Sequence, residues 1–179
     1  MKMTDSKEIW VKAGYETFAL LGEKGLLIES LAKKVGISKS SFYHHFADSE
    51  LFIEILLKHH LHQSRLMADK ERQAATIDPE LINILIEYKT DLLFNRQLRI
   101  GRENKNYNDT LTQSNRIIGD AFVMLWVKDL KLTLSQKQLE GIFELALDNF
   151  FLQINSENLR YEWLSTYFAN LKRIARNFG

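Results

Sequence analysis

Residues 31–46 of this 179-residue chain read Leu-Ala-Lys-Lys-Val-Gly-Ile-Ser-Lys-Ser-Ser-Phe-Tyr-His-His-Phe. The stretch predicts two short helices joined by a turn that contains a glycine, which is the plan of a helix-turn-helix. Gly36 can adopt the positive φ that such a turn requires, and Ser38 is a good N-cap for the second helix. The apolar side chains that would fill the joint core of the two helices are Val35, Ile37, Phe42 and Phe46.

The polar side chains of the same stretch are left on the exposed face and at the N-terminus of the second helix. Such a helix can enter the major groove of DNA, where its amide groups favour phosphate and its side chains reach base edges. Between Ser30 and Ala47 there are three lysines, two histidines and no carboxylate, a positive patch that the net charge of +1 conceals. The DNA-binding residues predicted from this patch are Lys34, Ser38, Lys39, Ser40, Ser41, Tyr43, His44 and His45. The alternatives are a plain corner between two bundle helices and, for Tyr43, a surface aromatic instead of a phosphate ligand.

The composition of the whole chain suits a compact soluble protein. Apolar residues make up 45% of the chain and charged residues 26%, enough to bury a sizeable core. The absence of cysteine excludes disulfide scaffolds and thiolate metal sites, and it fits a cytoplasmic protein. The N-terminal residues lack the apolar segment of a signal peptide, and the longest apolar run, Ala121 to Val127, is too short to span a membrane.

Apolar residues recur at helical spacing along the chain, and no segment alternates with period two for long enough to form a strand. Ser6 to Leu21 predicts a first helix that Gly22 and Gly25 end. The other predicted segments are a helix from Lys39 to Phe46, a helix from Ser49 to about Arg72, a fifth helix carrying Leu81, Leu85, Tyr88 and Leu92, a turn from Asn104 to Asn108, a helix from Ile117 to Leu130, a helix capped by Ser135 and a last helix from Leu159 to Asn177. The chain is therefore predicted to be all-α, with about nine helices.

The first third of the chain resembles the tetracycline-repressor (TetR) family of bacterial transcriptional regulators. The resemblance covers about residues 6–60 and includes Ala13, Phe18-Ala19 and Gly22 in the first helix. The pattern that carries it reads Leu31-Ala32, Gly36-Ile37-Ser38, Phe42-Tyr43-His44-His45-Phe46 and Glu50-Leu51. By position in the family pattern, Ser49 joins the expected DNA-binding residues. The family implies a helix-turn-helix DNA-binding domain over residues 1–48 and a helical ligand-binding and dimerisation domain over residues 49–179, with residues 49–72 as the connecting helix.

The sequence departs from the family pattern where members often carry DNA-facing residues. Leu26-Leu27 and Glu29 stand where threonine or serine and arginine are frequent, and Ser49 replaces a frequent lysine. No arginine occurs before Arg65, so the commonest reader of guanine is absent from the DNA-binding part. Lys39 is therefore the main candidate for reading guanine.

Two further sets of residues are expected in the C-terminal domain. Tyr88, Phe94, Phe122 and Trp126 lie on helices that surround an effector cavity in the family, although their spacing alone suits core residues equally well. Arg96 and Arg99 could anchor an acidic effector, or they could form a solvated face paired with nearby acids. The broad apolar stripes of the last two helices can pack inside their own domain and still present side chains to a partner. The family resemblance implies that these two helices form a four-helix bundle with a second copy of the chain, in an interface that contains Phe143, Leu147, Phe150, Phe151, Tyr167, Phe168 and Leu171.

These observations favour a homodimeric, sequence-specific transcriptional repressor that a small-molecule effector releases from a palindromic DNA site. A DNA-bound architectural factor without an effector remains an alternative. An enzyme is disfavoured, because no paired carboxylates in an apolar face, no phosphate-binding glycine loop and no Ser-His-Asp grouping outside the turn motif are found. His59 and His62 lie one helical turn apart but lack an acidic or thiol partner at an obvious spacing. No metal, cofactor or membrane partner is therefore predicted.

Overall fold

The computed structural model describes residues 6–130 and 135–176, and it confirms the predicted all-α class. Within these residues there are nine α-helices and no strand. In chain order they are α1 (Ser6–Leu21), α2 (Ile28–Val35), α3 (Lys39–His45), α4 (Ser49–Gln73), α5 (Ile82–Glu87), α6 (Lys89–Ile100), α7 (Lys105–Leu130), α8 (Gln136–Gln153) and α9 (Tyr161–Arg176). A 3-10 turn, Glu23–Gly25, follows α1, and one wide helical turn, Ile77–Leu81, precedes α5.

Local signals in the sequence set several helix boundaries. Gly36 ends α2 in the left-handed region, with φ 70° and ψ 24°, a conformation that glycine adopts without a steric penalty. Asp48 caps α4 because its side chain accepts a hydrogen bond from the backbone N–H of Leu51 at 2.8 Å. Ser135 caps α8 in a reciprocal capping box with Gln138. The sequence predicted the turn at Gly36 and the cap at Ser135, whereas the partner role of Gln138 is seen only in the structure.

Two predicted boundaries are wrong. The predicted fifth helix is interrupted at Tyr88, whose φ of −93° and ψ of 26° separate α5 from α6. The predicted turn over residues 104–108 is largely helical, because the helix predicted to start at Ile117 begins instead at Lys105 as α7. Asn104 Oδ1 accepts a hydrogen bond from the backbone N–H of Asn106 at 2.9 Å and so serves the first turn of this helix.

Helix α1 packs along α6 and thereby ties the N-terminal helices to the rest of the chain. Tyr15 and Phe18 of α1 each stack on Phe94 of α6, with 4.4 Å between ring centroids in both pairs. His60 of α4 stacks on the same Phe94 ring at 4.7 Å. One continuous hydrophobic core therefore runs from α1 into the C-terminal helices.

The C-terminal helices enclose the second half of that core. Helix α4 lies along α7, and Phe150 of α8 contacts Tyr167 of α9 with ring centroids 5.5 Å apart. Asp78, in the turn before α5, accepts hydrogen bonds from Tyr161 at 2.5 Å and Ser165 at 2.6 Å, which fasten α9 to this turn. None of the helices in the described ranges combines the length and the apolar character that a membrane span requires.

Candidate functional site

The helix-turn-helix is built on an aromatic cluster beneath α3. Phe42 and Phe46 are buried, and the Phe42 ring meets Trp10 of α1 edge-on with 5.3 Å between ring centroids. Phe52 of α4 contacts the same Phe42 ring at 5.1 Å. Because aromatic contacts from α1 and α4 hold its inner face, α3 presents its opposite face to solvent in a fixed orientation.

Seven of the nine predicted DNA-binding side chains are exposed, and four of these seven lie on α3. The exposed members of the predicted set are Lys34, Ser38, Lys39, Ser40, Tyr43, His44 and Ser49. Tyr43 leaves 54% of its surface in solvent, and its ring rests edge-on against Phe42 at 5.4 Å. At the N-terminus of the helix, the hydroxyl oxygens of Ser38 and Ser40 lie 2.8 Å apart, within hydrogen-bonding distance.

Two of the predicted residues face the protein instead of solvent. Ser41 is half-buried and accepts a hydrogen bond from Trp10 Nε1 at 3.5 Å. His45 is half-buried, with its Nε2 atom 2.5 Å from the Ser6 hydroxyl oxygen. In this geometry both side chains hold α3 on α1. The outer face of α3 is formed by the other polar residues of the helix.

Two of the three lysines of the patch form ion pairs. Lys39 Nζ lies 2.7 Å from a carboxylate oxygen of Glu29 on α2, and Lys34 Nζ lies 3.2 Å from a carboxylate oxygen of Glu16 on α1. The Lys39 hydrogen bond lowers the pKa of Glu29, and the same contact raises the pKa of Lys39. Both groups of this pair are therefore charged near neutral pH, and Glu29 holds the candidate guanine reader on the α2 side.

We expect Glu29→Gln to tighten DNA binding by several-fold. The change removes an anion that competes with DNA for Lys39. The slope of log affinity against log salt is expected to steepen by up to about 0.9 for each lysine released. Titration of labelled DNA at several salt concentrations measures both effects. The matched control is Glu50→Gln, which removes an exposed carboxylate that is not paired with Lys39; an equal gain in both variants would mean that only general repulsion had been relieved.

A cavity lies behind the helix-turn-helix, between α4, α5, α6, α7, α8 and α9. Its volume is about 40 Å³, and about 550 Å³ when the space that leads out to solvent is included. The lining is mainly apolar and aromatic, with Phe122, Phe150, Phe151, Tyr167 and Phe168 among its members. Glu71 of α4, Asn95 of α6 and Asn115 of α7 add polar groups to this wall.

Of the six predicted effector residues, only Phe122 lines this cavity. Phe94 is fully buried among Tyr15, Phe18 and His60, so its ring points toward α1. Tyr88 receives the ammonium group of Lys70 over its ring at 5.4 Å. The packing of α1 on α6 turns Phe94 away from the cavity.

The two predicted arginine anchors also lie off the cavity lining. Arg99 forms an ion pair with Asp148 of α8, and its guanidinium lies 4.7 Å from the centre of the Phe151 ring. Arg96 is half-buried, and its Nε atom has no hydrogen-bond partner among the described residues. Trp126 is buried beside Phe122 and Phe168, 5.7 and 6.2 Å away between ring centroids. A site for an acidic effector on Arg96 and Arg99 is therefore not assembled at this cavity.

The structure places most of the predicted dimer-interface residues inside the chain. Phe150, Phe151, Tyr167 and Phe168 are buried, and they line the cavity together with Leu147 and Leu171. The side chain of Phe143 lies outside the described residues. Among the side chains that the structure describes on α8, the large exposed apolar ones are instead Leu145 and Leu152, with 75% and 80% of their surfaces in solvent. The buried aromatic side chains of α8 therefore pack into the core of their own chain, where α7 and α9 cover them.

A buried polar triad joins α1, α4 and α6. The Tyr15 hydroxyl donates a hydrogen bond to Asp91 at 2.7 Å, so it accepts the Nδ1–H of His60 at 2.8 Å. Burial, with a smaller contribution from His59, lowers the pKa of His60 to about 3 and keeps the imidazole neutral. The sequence signal for this inward histidine was its helical spacing from the apolar Leu56 and Met67. Within the described residues, no three His, Cys, Asp or Glu side chains are placed to bind one metal ion.

Comparisons with known proteins report on the fold. No model of a known protein family matches the chain, and no curated protein matches its sequence. The chain is similar to a crystal structure described as a TetR-family transcriptional regulator from Rhodococcus sp., with a TM-score of 0.54 and 19% sequence identity. The similarity covers 93% of this chain and 98% of the other. At this identity the likeness shows that the two proteins share their fold.

Proposed function

We propose that this protein is a cytoplasmic transcriptional regulator of the TetR type that binds DNA as a homodimer and acts as a repressor. In this proposal residues 1–48 form the DNA-binding domain, and residues 49–179 form the ligand-binding and dimerisation domain. A small molecule bound in the second domain lowers the affinity of the first for DNA. In this proposal the protein acts by binding and not by catalysis.

The observation that carries the proposal is the outer face of α3. Lys39, Ser40, Tyr43 and His44 are exposed side by side on a helix whose inner face is locked by Phe42 and Phe46. A short helix held this way can enter the major groove with its N-terminal residues first. Lys39 is proposed to read a base edge, and Tyr43 is proposed to position the helix on a phosphate.

Dimer formation is proposed because one helix of this length reads few base pairs. Two readers about one DNA turn apart multiply the specificity of a single helix. Leu145 and Leu152 lie seven residues apart and share one face of α8, and Ile174 of α9 is also exposed. We propose that these side chains lie in the interface, in place of the buried aromatics of α8 and α9.

Release by a ligand is proposed to act through α4, which extends from the helix-turn-helix to the cavity. Phe52 at the start of α4 contacts Phe42, and Met67 and Glu71 near its end line the cavity. A ligand that binds more tightly to one orientation of α4 shifts the population toward that orientation. DNA affinity falls if the favoured spacing of the two α3 helices fits consecutive major grooves poorly.

Selection of bound DNA from a random pool tests the proposal. The expected result is an enriched motif with two-fold symmetry and half-sites about one helical turn apart. The full chain is used, and its mass in solution is measured by sedimentation at the same concentration. Enrichment of no motif, or of a motif bound by a monomer alone, would contradict the proposal.

The roles of two residues can be separated on the selected DNA. Lys39→Ala is expected to relax the base preference at one position of each half-site and to weaken binding to the best site about tenfold. Tyr43→Phe is expected to weaken all sequences alike, because phosphates carry no base identity. Binding to the selected site and to single-base variants of it measures both effects. If Tyr43→Phe altered the base preference and Lys39→Ala did not, the two assignments would be reversed.

A further inference from the structure

Glu71 is an acidic residue in the cavity wall, and it has no role in the proposed contacts with DNA. It lies in the last turns of α4 with only 1% of its surface exposed. Neither of its carboxylate oxygens accepts a hydrogen bond from any residue that the structure describes. A buried carboxylate without a partner is costly in a protein interior, and this one lines the cavity.

Asn95 supplies a second acceptor to the same wall. Its amide nitrogen donates a hydrogen bond to the Ser114 hydroxyl at 3.0 Å, and that hydroxyl donates its own hydrogen to the Leu111 carbonyl at 3.0 Å. The single hydroxyl hydrogen is therefore used, so Ser114 must accept from Asn95, and the amide cannot be turned around. The Asn95 Oδ1 atom is left without a donor among the described residues.

The remaining wall of the cavity is mainly apolar and aromatic, and it suits a cation that carries a hydrocarbon group. Aromatic rings from α7, α8 and α9 line the cavity, among them Phe122, Phe150 and Phe168. The faces of such rings attract ammonium groups. The arginines that could have attracted an anion, Arg96 and Arg99, lie off this wall, and Arg99 is paired with Asp148.

We propose that the cavity binds a small lipophilic amine, whose ammonium group donates hydrogen bonds to Glu71 and Asn95 while its carbon chain lies against the aromatic wall. Acceptors without donors in an apolar enclosure are complementary to a protonated amine and repel a carboxylate. Burial raises the pKa of Glu71 to about 8 against a smaller opposing effect of the Arg72 charge, and an ammonium group placed beside this carboxyl group favours its ionised, hydrogen-bond-accepting form. The amine site does not depend on the proposed function; the role of the amine as effector rests on it.

The test compares three probes with the same six-carbon chain: n-hexylamine, 1-hexanol and hexanoate. Calorimetric titration and melting of the full-length protein measure binding without DNA. We expect hexylamine to raise the melting temperature and to bind at least tenfold more tightly than hexanoate. Equal binding of the three probes, tighter binding of hexanoate or no binding of hexylamine would overturn the inference.

Two variants locate the site. Glu71→Gln keeps the shape of the side chain and removes its charge, so it is expected to abolish the preference for hexylamine over hexanol. The matched control, Glu54→Gln, removes an exposed carboxylate from the same helix and is expected to retain the preference. Retention of the preference in Glu71→Gln would overturn the assignment of Glu71. If circular dichroism showed that Glu71→Gln had not folded, Asn95→Leu would replace it, with a loss of hexylamine affinity again expected.

Release of the selected DNA by hexylamine is measured separately. Amine binding that depends on Glu71 but leaves DNA binding unchanged would support the amine site and contradict the effector role. Failure to find a DNA site, with Glu71-dependent amine binding intact, would contradict the proposed function and leave the amine site standing.

Discussion

Replacing Phe94 with alanine is expected to lower the free energy of unfolding by about 3–5 kcal/mol. The ring is fully buried and stacks on Tyr15, Phe18 and His60 from two other helices. Alanine would leave a cavity that those rings cannot fill without separating α1 from α6. Urea unfolding of the wild type and the variant at one protein concentration measures the loss.

The control for this variant is Ile100→Ala on the same helix. Ile100 leaves 63% of its surface in solvent, so its truncation is expected to change the free energy of unfolding by no more than about 0.5 kcal/mol. A Phe94→Ala protein as stable as the Ile100→Ala protein would contradict the assignment of Phe94 to the core and would make a ligand-contacting role credible again.

Raising the salt concentration is expected to weaken binding to the selected DNA site steeply. Lys33 and Lys34 are exposed at the end of α2, close to the turn that precedes α3. If each of these two lysines neutralises one phosphate in each subunit of a dimer, log affinity falls with log salt at a slope of about −3.6. This slope corresponds to a loss of affinity of about 150-fold between 50 and 200 mM salt. Fluorescence anisotropy with labelled DNA at four or more salt concentrations gives the slope.

Single lysine variants identify the source of the salt dependence. Lys33→Ala is expected to make the slope shallower by about 1.8, because a dimer loses two phosphate contacts. Lys137→Ala removes an exposed lysine from α8 and is expected to leave the slope unchanged. A wild-type slope near zero would exclude binding through the DNA backbone, and an equal change in the two variants would mean that only the net charge matters.

The helix-turn-helix could be predicted from sequence because each of its parts depends on a local preference. Gly36 occupies a backbone conformation that other residues avoid, and Phe42 and Phe46 recur at the spacing of one helical face. The break at Tyr88 has no comparable signal, since neither glycine nor proline lies near it and the apolar spacing continues across it. That break depends on how α5 and α6 pack on other helices, which are distant in the sequence.

The side chains that line the candidate cavity could not be predicted from sequence either, because they too depend on packing between distant segments. Glu71 stands in the run Asp69-Lys70-Glu71-Arg72, which suggests an exposed helix face. Its spacing of one helical turn from the apolar Met67 was a sequence signal that it points inward. Which side chains border open space was not predictable from helical periodicity, because α7, α8 and α9 approach this face from far along the chain.

The stacking of α1 on α6 limits how this protein can be recombined with others. A graft of residues 1–48 onto the C-terminal part of another regulator would carry Tyr15 and Phe18 without the Phe94 ring that covers them. Two large aromatic side chains would then face solvent or an unrelated surface, a condition that promotes aggregation. A working chimera must therefore import α6 together with the DNA-reading helices, or replace both aromatics with residues chosen for the new neighbour.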